Sequence, residues 1–448
     1  MTLDPEHDVI VVGANVAGVS TARELALRGL DVALVESQPA PDVGSRSCGD
    51  GIEVFQFKKV GIPIPQGDFI LREVPVAYLL SPDRQTRFRG MSAGITIDRF
   101  TLNQHLLSEA IDSGVQLYGS TDATAPVVKD GRVTGIRTRD RASRDTGTVV
   151  APVTVDASGW RGKLRRSVPP DWPIAEVVPD HETAIAYREE RRRPEPVEDL
   201  HVEATFDFDI APKGLYWYAD RTDVLVNVGV GMQRVPGVPG PKAVIRDRVL
   251  PLYPDLKGTA LIRSGGGVIP NRRALDCPVA DGMVAVGDAA CQVNPLSGSG
   301  IGSSMFAAAL IGRTVAIALE ASRSPRTEDL FPYAHAYQTA YGTDQAAYHV
   351  LRASLQGLTN AQLNRLMGSG TISEDDLVEA ARTGEMNLSF TAKVKAASKL
   401  MGEPRLIRSL ARLHKNMQEA RHLYSEYPES VEGLDAWRRR AAQLFEGI

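Results

Sequence analysis

Short apolar runs alternate along this chain with stretches whose apolar residues recur at helical spacing, and the opening segment shows the pattern most clearly. Val9 to Val12 is a four-residue apolar run of the kind a buried parallel strand carries. GANVAG follows, then STARELALRG, apolar on one helical face, with Gly29 as a stop signal. Asp31 to Val35 is a second buried strand that ends at Glu36. A β-α-β unit is predicted over these residues. Farther on, Asp98 to Ser113 predicts a helix opening at Asp98 and Arg99, and KDGR (Lys129 to Arg132) predicts a hairpin.

From about Arg165 to Gly267 strand-forming residues dominate, broken by polar runs such as EERRRPEPVED, which reads as a solvated loop. MVAVGDAA is another buried strand, followed by a long apolar helix from about Ile301 to Ala321. Beyond Pro325 the chain is helical and polar. There, RLIRSLARLHKNMQEARHLY reads either as a helix with one packed face or as a basic amphipathic surface for anionic lipid head groups.

At 448 residues the chain is too long for one ordinary core, and two or three structural units are expected. A hydrophobic share of 43% with 24% charged residues excludes a disordered or fibrous chain. A net charge of −4 supplies no basic field for nucleic acid. Three cysteines, Cys48, Cys277 and Cys291, argue for a reducing compartment. The start, MTLDPEHDVIVVG, is acidic where a secretory leader would be basic, and no uninterrupted apolar stretch reaches a bilayer-spanning length. A cytoplasmic protein is expected, touching a membrane only peripherally, on its inner face.

Chemistry enters with the turn GANVAG. A helix amino terminus presents N–H groups and the positive end of a dipole, so it attracts a pyrophosphate. Gly13 permits the tight turn, Gly18 lets helix and sheet pack closely, and Glu36 stands where an acid bonds an adenosine ribose. Asn15 replaces the middle glycine of the usual pattern, and tolerates left-handed angles better than most residues. Two distant segments point to FAD. VTVDASGWRGKLRR ends a strand at Asp156, with Gly159, Arg165 and Arg166 behind it, and MVAVGDAACQVNPLSGSGIG ends one at Gly287-Asp288 before a Gly-rich entry to a helix. A helix amino terminus after GSGIG would stabilise negative charge on a reduced flavin. The eight histidines lack metal-site spacing, so no metal is expected, and no nucleophile triad is evident.

Together with VGSRSCGDG, GIPIPQG, SPDRQT, NVGVG, GGGVIPNRR and the late SEYPES…WRR, these motifs make the chain resemble an archaeal-type geranylgeranyl reductase, of the FAD-dependent digeranylgeranylglycerophospholipid reductase family. That family sits within flavoproteins related to aromatic hydroxylases. The resemblance runs over essentially the whole chain. It implies an α+β and α/β architecture with three parts. A Rossmann-like FAD-binding domain would take 1–75, 95–165 and 270–325; an antiparallel-sheet substrate domain 76–94 and 166–269; a helical carboxyl-terminal domain 326–448. It implies reduction of isolated C=C bonds in geranylgeranyl chains, on a diphosphate or an ether phospholipid.

Carried over by position, the cofactor-binding set is Gly13, Ala14, Asn15, Val16, Ala17, Gly18, Glu36, Ser37, Arg46, Cys48, Gly49, Arg99, Ala123, Asp156, Gly159, Gly287, Asp288, Pro295, Gly298, Gly300, Ile301 and Gly302. Cys48, Gly49 and Asp50 match the family's catalytic segment, with Arg46 placed to favour a thiolate. Cys277 and Cys291 are read as structural. The family's aromatic-x-Trp-x-Phe-Pro signature corresponds to Leu215–Asp220, where Trp217 survives between Tyr216 and Tyr218 while the leading aromatic, the Phe and the Pro are lost. These three aromatics are the substrate candidates, against a plain sheet-filling role. The partners implied are an isoprenoid lipid and an electron donor left open between a nicotinamide, a ferredoxin and another carrier. Two other functions stay open at this point: a flavin monooxygenase of an apolar substrate, and a reductase of a quinone's isoprenoid tail. A non-catalytic isoprenoid-binding protein is a further alternative.

Overall fold

A computed structural model describes residues 5–45, 49–91, 94–369 and 404–446. The apolar runs found in the sequence meet in a six-stranded sheet, in the order Val279–Ala280, Met283–Ala285, Val153–Asp156, Val9–Val12, Val32–Val35 and Gln116–Tyr118. All neighbours in it are parallel except the first pair. Strands buried on both faces need continuous apolar runs, and Val9–Val12 and Val32–Val35 are buried throughout. The helix Val16–Ala26 follows the first strand, as the spacing predicts. Asp98 caps the helix Arg99–Asp112, its side chain accepting from the Thr101 amide at 2.9 Å. A three-stranded antiparallel sheet carries the hairpin of Thr121–Lys129 and Arg132–Asp140.

A seven-stranded sheet draws Ala77–Leu80 and Arg87–Met91 from the early chain and its other strands from Thr183 to Pro270. It is antiparallel except where Val202–Thr205 runs parallel to Ala77–Leu80. A small sheet of Gly51–Glu53, Gly94–Ile97 and Ile70–Val74 links the two large ones. The run EERRRPEPVED departs from its reading as a solvated loop. Its first residues extend the strand Thr183–Arg192, with Glu189, Glu190 and Arg193 at most 6% exposed. These charges are buried because each has a partner, Arg191 on the same strand for Glu189, Arg221 and Arg263 for Glu190, and Asp220 for Arg193.

The late helices share the core of the parallel sheet. Leu330, Phe331, Tyr337, Leu413 and Trp437 form one continuous cluster with Val9, Val19 and Val155. The tail helix Pro404–Ser425 buries Leu406, Leu413, Met417, Ala420 and Tyr424 inward and exposes Arg412 and Lys415. The long apolar helix is found at Ile301–Ala321, and, against the expectation that no apolar stretch reaches bilayer-spanning length, it is long and apolar enough to cross a bilayer by length and composition. It lies mostly inside the protein, packed on Val16–Ala26.

Glu176 fastens the segment after the parallel sheet to this core. Its carboxylate faces Arg272 at 2.7 Å, with side-chain exposure of 15%. Although burial opposes ionisation, Arg272 and Arg273 bring the group down to about 2. A depressed carboxylate contributes stability above its unfolded value and loses it as pH falls. The contribution, on the order of 3 kcal/mol, should therefore be complete above about pH 4.5 and vanish toward pH 2. Acid unfolding of Glu176→Gln beside the parent protein checks this: the stability difference should shrink across that window.

Candidate functional site

One cavity of about 1780 Å³ runs from the end of the parallel sheet to the face of the seven-stranded sheet. Three separated turns converge on its first half. Gly13, Asn15, Val16 and Ala17 line it from the first helix entry, Ala157 to Gly159 from the third strand's end, and Asp288 with Pro295 to Ile301 from the late turn. Gly287 explains how close they come: a Cβ there would press on the Ala17 side chain. Both helices, Val16–Ala26 and Ile301–Ala321, present amino termini without a side-chain cap or an acidic residue in the first turn. Such ends favour anionic groups. Glu36 lines the same cavity, and its carboxylate accepts from Ala14 N at 2.8 Å, Gln38 N at 2.9 Å and Ser37 Oγ at 2.8 Å. A carboxylate has about four acceptor sites, so one remains for a ligand hydroxyl. Arg161, Lys163 and Arg166 add exposed cations to the rim. The residues present fit a bound FAD.

Of the sequence candidates, Gly13, Asn15, Val16, Ala17, Glu36, Ser37, Gly49, Asp50, Arg99, Ala123, Gly159, Asp288, Pro295, Gly298, Gly300 and Ile301 all line the cavity. Asn15 needs no left-handed backbone, since it sits at φ −80°, and its Oδ1 accepts from Arg99 Nη2 at 3.0 Å. The departure from glycine is thus used to tie down the arginine. Ala14, Gly18, Gly287 and Gly302 lie behind the lining and support it; at Gly302 a Cβ would strike Gln56.

Asp156 is corrected. It is fully buried off the cavity, accepting from Ser158 N at 2.9 Å, Leu164 N at 3.0 Å and Arg165 N at 2.8 Å, so it shapes a turn. Tyr216 and Tyr218 are corrected as well. Alternation along the strand turns them into the core behind the sheet, with Val226, Val228 and Val230, while Trp217 alone faces the cavity. Arg46 and Cys48 lie outside the described residues.

Trp217 is held in place by the NVGVG strand. Its indole lies where a Cβ on Gly229 would stand, and its Nε1 donates to Asn227 Oδ1 at 3.0 Å. Asn227 Nδ2 in turn donates to the Gly49 carbonyl at 3.2 Å. One asparagine therefore couples the cavity face of the sheet to the residue that follows Cys48.

Asp50 is 1% exposed and faces Arg188 at 3.1 Å, Arg221 at 3.5 Å and Arg263 at 3.9 Å. Burial raises its carboxyl above the usual range, and the nearby arginines offset this only in part. Glu190 joins the same cluster through Arg188 at 3.2 Å, Arg263 at 2.8 Å and Arg221. Its carboxyl ends below its usual range because those guanidinium groups outweigh burial. Asp50 is thus a clamped anion on the wall, with Arg188 and Arg221 beside it in the lining.

The second half of the cavity is apolar, walled by Leu79, Ala204, Phe206, Phe208, Leu215 and Trp217. The helix Thr343–Gln356 closes it with Tyr348, Leu351, Arg352, Leu355 and Gln356. The sequence reading expected helix here but not its place on the cavity, although the spacing of those five positions marks one face. Arg188 and Arg221 were also missed, because the Asp50 they share lies more than a hundred residues away. Among the described residues no cluster of His, Cys, Asp or Glu could hold a metal ion.

Cys277 and Cys291 are fully buried, and burial pushes both thiols up to about 12. Thiolate is the reactive form. Iodoacetamide at pH 8 should therefore leave both unmodified in the native protein and label at most Cys48, with all three alkylated after denaturation. Peptide mass mapping reads the result, and native labelling of Cys277 or Cys291 would contradict it.

Residues 8–50 match the family described as FAD dependent oxidoreductase. A digeranylgeranylglycerophospholipid reductase of Sulfolobus acidocaldarius is 32% identical over 98% of this chain and 97% of its own. A geranylgeranyl bacteriochlorophyll reductase-like protein from Thermoplasma acidophilum superposes with a TM-score of 0.74 at 22% identity, over 91% of this chain and 99% of its own. A myxobacterial chondrochloren halogenase shares the fold at a TM-score of 0.63 and 17% identity, over 96% of this chain and 99% of its own.

Proposed function

The chain belongs to the digeranylgeranylglycerophospholipid reductase family, FAD-dependent oxidoreductases, and from that premise we propose how its cavity saturates geranylgeranyl chains. The observation that carries the reading is continuity: the dinucleotide cradle and the apolar sheet face are two halves of one cavity. When bound and reduced, the flavin supplies hydride to one carbon of an isolated double bond. The protein does the rest.

An alkene has no carbonyl to take up charge, so a proton must arrive at the second carbon almost together with the hydride. Leu79, Phe206, Trp217 and Leu355 hold the chain, each methylene buried contributing roughly 0.8 kcal/mol. Closure by the helix Thr343–Gln356 keeps water from the alkene. The Gly49 carbonyl is held by Asn227, and in this proposal Cys48 or a water it orients delivers the proton. The clamped anion Asp50 keeps this segment of chain in register with the sheet.

The test is anaerobic. Protein reduced with dithionite is incubated with geranylgeranyl diphosphate and, separately, with unsaturated archaeal ether phospholipid, and products are weighed by mass spectrometry. Each reduced bond adds two hydrogens. Oxygenated product formed only in air, with no saturation under nitrogen, would replace the reductase with a monooxygenase. Cys48→Ser should lower turnover by about a hundredfold while keeping bound FAD, and full turnover with an unchanged product pattern would remove the thiol from the mechanism. The electron donor proposed is a carrier that docks transiently, since the chain carries one dinucleotide turn. We also propose that the enzyme works at the inner membrane surface, with the exposed Arg412 and Lys415 of the tail helix toward anionic head groups. Flotation with anionic vesicles, lost in Arg412→Glu with Lys415→Glu, tests that placement.

A further inference from the structure

Arg165 gives its guanidinium to backbone carbonyls, and five other buried arginines among the described residues hold a carboxylate each: Arg188 with Asp50, Arg193 with Asp220, Arg221 with Glu190, Arg272 with Glu176, and Arg273 with Asp276. Arg352 does not. It is 7% exposed, lines the cavity, and has no carboxylate within ion-pair distance among the described residues. Its Nη1 donates to Gln356 Oε1 at 2.8 Å, its Nη2 meets His349 Nδ1 at 3.4 Å, and its Nε has no partner. Glu182, the acid whose field reaches it, is engaged by Arg272 at 3.2 Å and His349 at 3.8 Å. Burial brings the guanidinium down to about 10, with Glu182 opposing and Arg272 adding to the effect. A desolvated cation without a counter-ion is costly and is retained where an anion completes it.

A second cation stands on the same corner. The Gln356 side chain reaches the Lys213 carbonyl at 2.5 Å, where the helix Thr343–Gln356 ends and the strand Leu215–Asp220, carrying Trp217, begins. Lys213 is exposed, lines the cavity and sits at φ +51°, a left-handed angle costly for lysine. The strained residue points to a site where backbone placement matters more than comfort.

We propose that Arg352, Gln356 and Lys213 bind the phosphate-bearing head group of the substrate, and so fix which part of the isoprenoid chain reaches the flavin. The inference rests on the geranylgeranyl-reductase reading and deepens it. Arg352 supplies a buried charge-assisted donor, Lys213 a mobile charge at the rim, and Gln356 holds both in register. Either a diphosphate or the phosphate of a glycerophospholipid has the required chemistry.

Binding to oxidised, FAD-loaded enzyme tests this without any turnover. Affinities for geranylgeranyl diphosphate and for the uncharged geranylgeraniol are measured by calorimetry, and their ratio is the readout, since it cancels general damage to the apolar cavity. In Arg352→Gln the preference for the diphosphate should fall about tenfold or more, with Arg352→Lys recovering part. Lys213→Ala, a surface change that does not threaten folding, should lower it severalfold. An unchanged ratio in both Arg352→Gln and Lys213→Ala, or a parent enzyme that binds alcohol and diphosphate equally, overturns the proposal. Turnover of ether phospholipid in mixed micelles separates the sources: a loss in Arg352→Gln for both lipids assigns the site to either phosphate, and a loss for the diphosphate alone assigns it to diphosphate. A parent enzyme that saturates no chain fails the reductase reading instead, while the binding ratio still judges the head-group site.

Discussion

Gly18→Val should give a protein purified without its yellow colour. A Cβ at position 18 would run into the Gly13 carbonyl and press on Ala157, so the first helix could not keep its place against two turns of the cradle. The obstacles are backbone rather than a side chain that could swing aside. Overpacking costs typically 1–3 kcal/mol, and two or three of these taken from cofactor binding weaken it roughly a hundredfold. Gly240→Ala is the control: its φ is −63° and nothing stands near the added carbon, so FAD content should match the parent. Absorbance at 450 nm per polypeptide, with circular dichroism to confirm folding, measures both. A Gly18→Val protein with a full complement of flavin would mean the first turn does not cradle the cofactor.

Arg221→Met should be among the most destabilising single changes in the molecule. Arg221 is 1% exposed, pairs with Glu190, lies 3.5 Å from Asp50 and 3.6 Å from Asp98, and donates to the Ile97 carbonyl at 2.7 Å. Removing it leaves two buried carboxylates short of a counter-charge, a loss of about 3–5 kcal/mol. Removing an acid with it should cost less than the sum, because the orphaned charge goes too. Urea unfolding of Arg221→Met, Glu190→Met and the double variant measures the coupling. Additive effects would show that the cluster is not a linked network.

Much of this cradle was legible in the chain because phosphate binding relies on local signals. The strand, turn and helix around Gly13 and the GSGIG entry at Gly298 to Ile301 are each continuous, and both fell where their spacing put them. Other features depend on contacts that a linear pattern does not carry. Asp156 ends its strand and Asp288 follows shortly after the strand Met283–Ala285, yet only the second reaches the cavity, since the first is consumed by the amides of its own loop. Tyr216 and Tyr218 could have been set apart from Trp217 by the two-residue period of a strand, a signal present but outweighed by the attraction of an aromatic motif. EERRRPEPVED looked solvated because its partners, Arg221, Thr259 and Arg263 among them, are distant in sequence.

The flavin cradle is assembled from residue 13 at one end and residue 301 at the other. During synthesis at about 5–20 residues per second, the first helix must wait roughly fifteen to sixty seconds before its counterpart leaves the ribosome. Until then Val16 and Ala17 have no opposing wall, and the late helices that complete their shared core are still unmade. Prosthetic-group capture thus belongs to the closing stage of biogenesis. Cells short of riboflavin would accumulate a full-length, protease-sensitive apoprotein rather than truncated fragments.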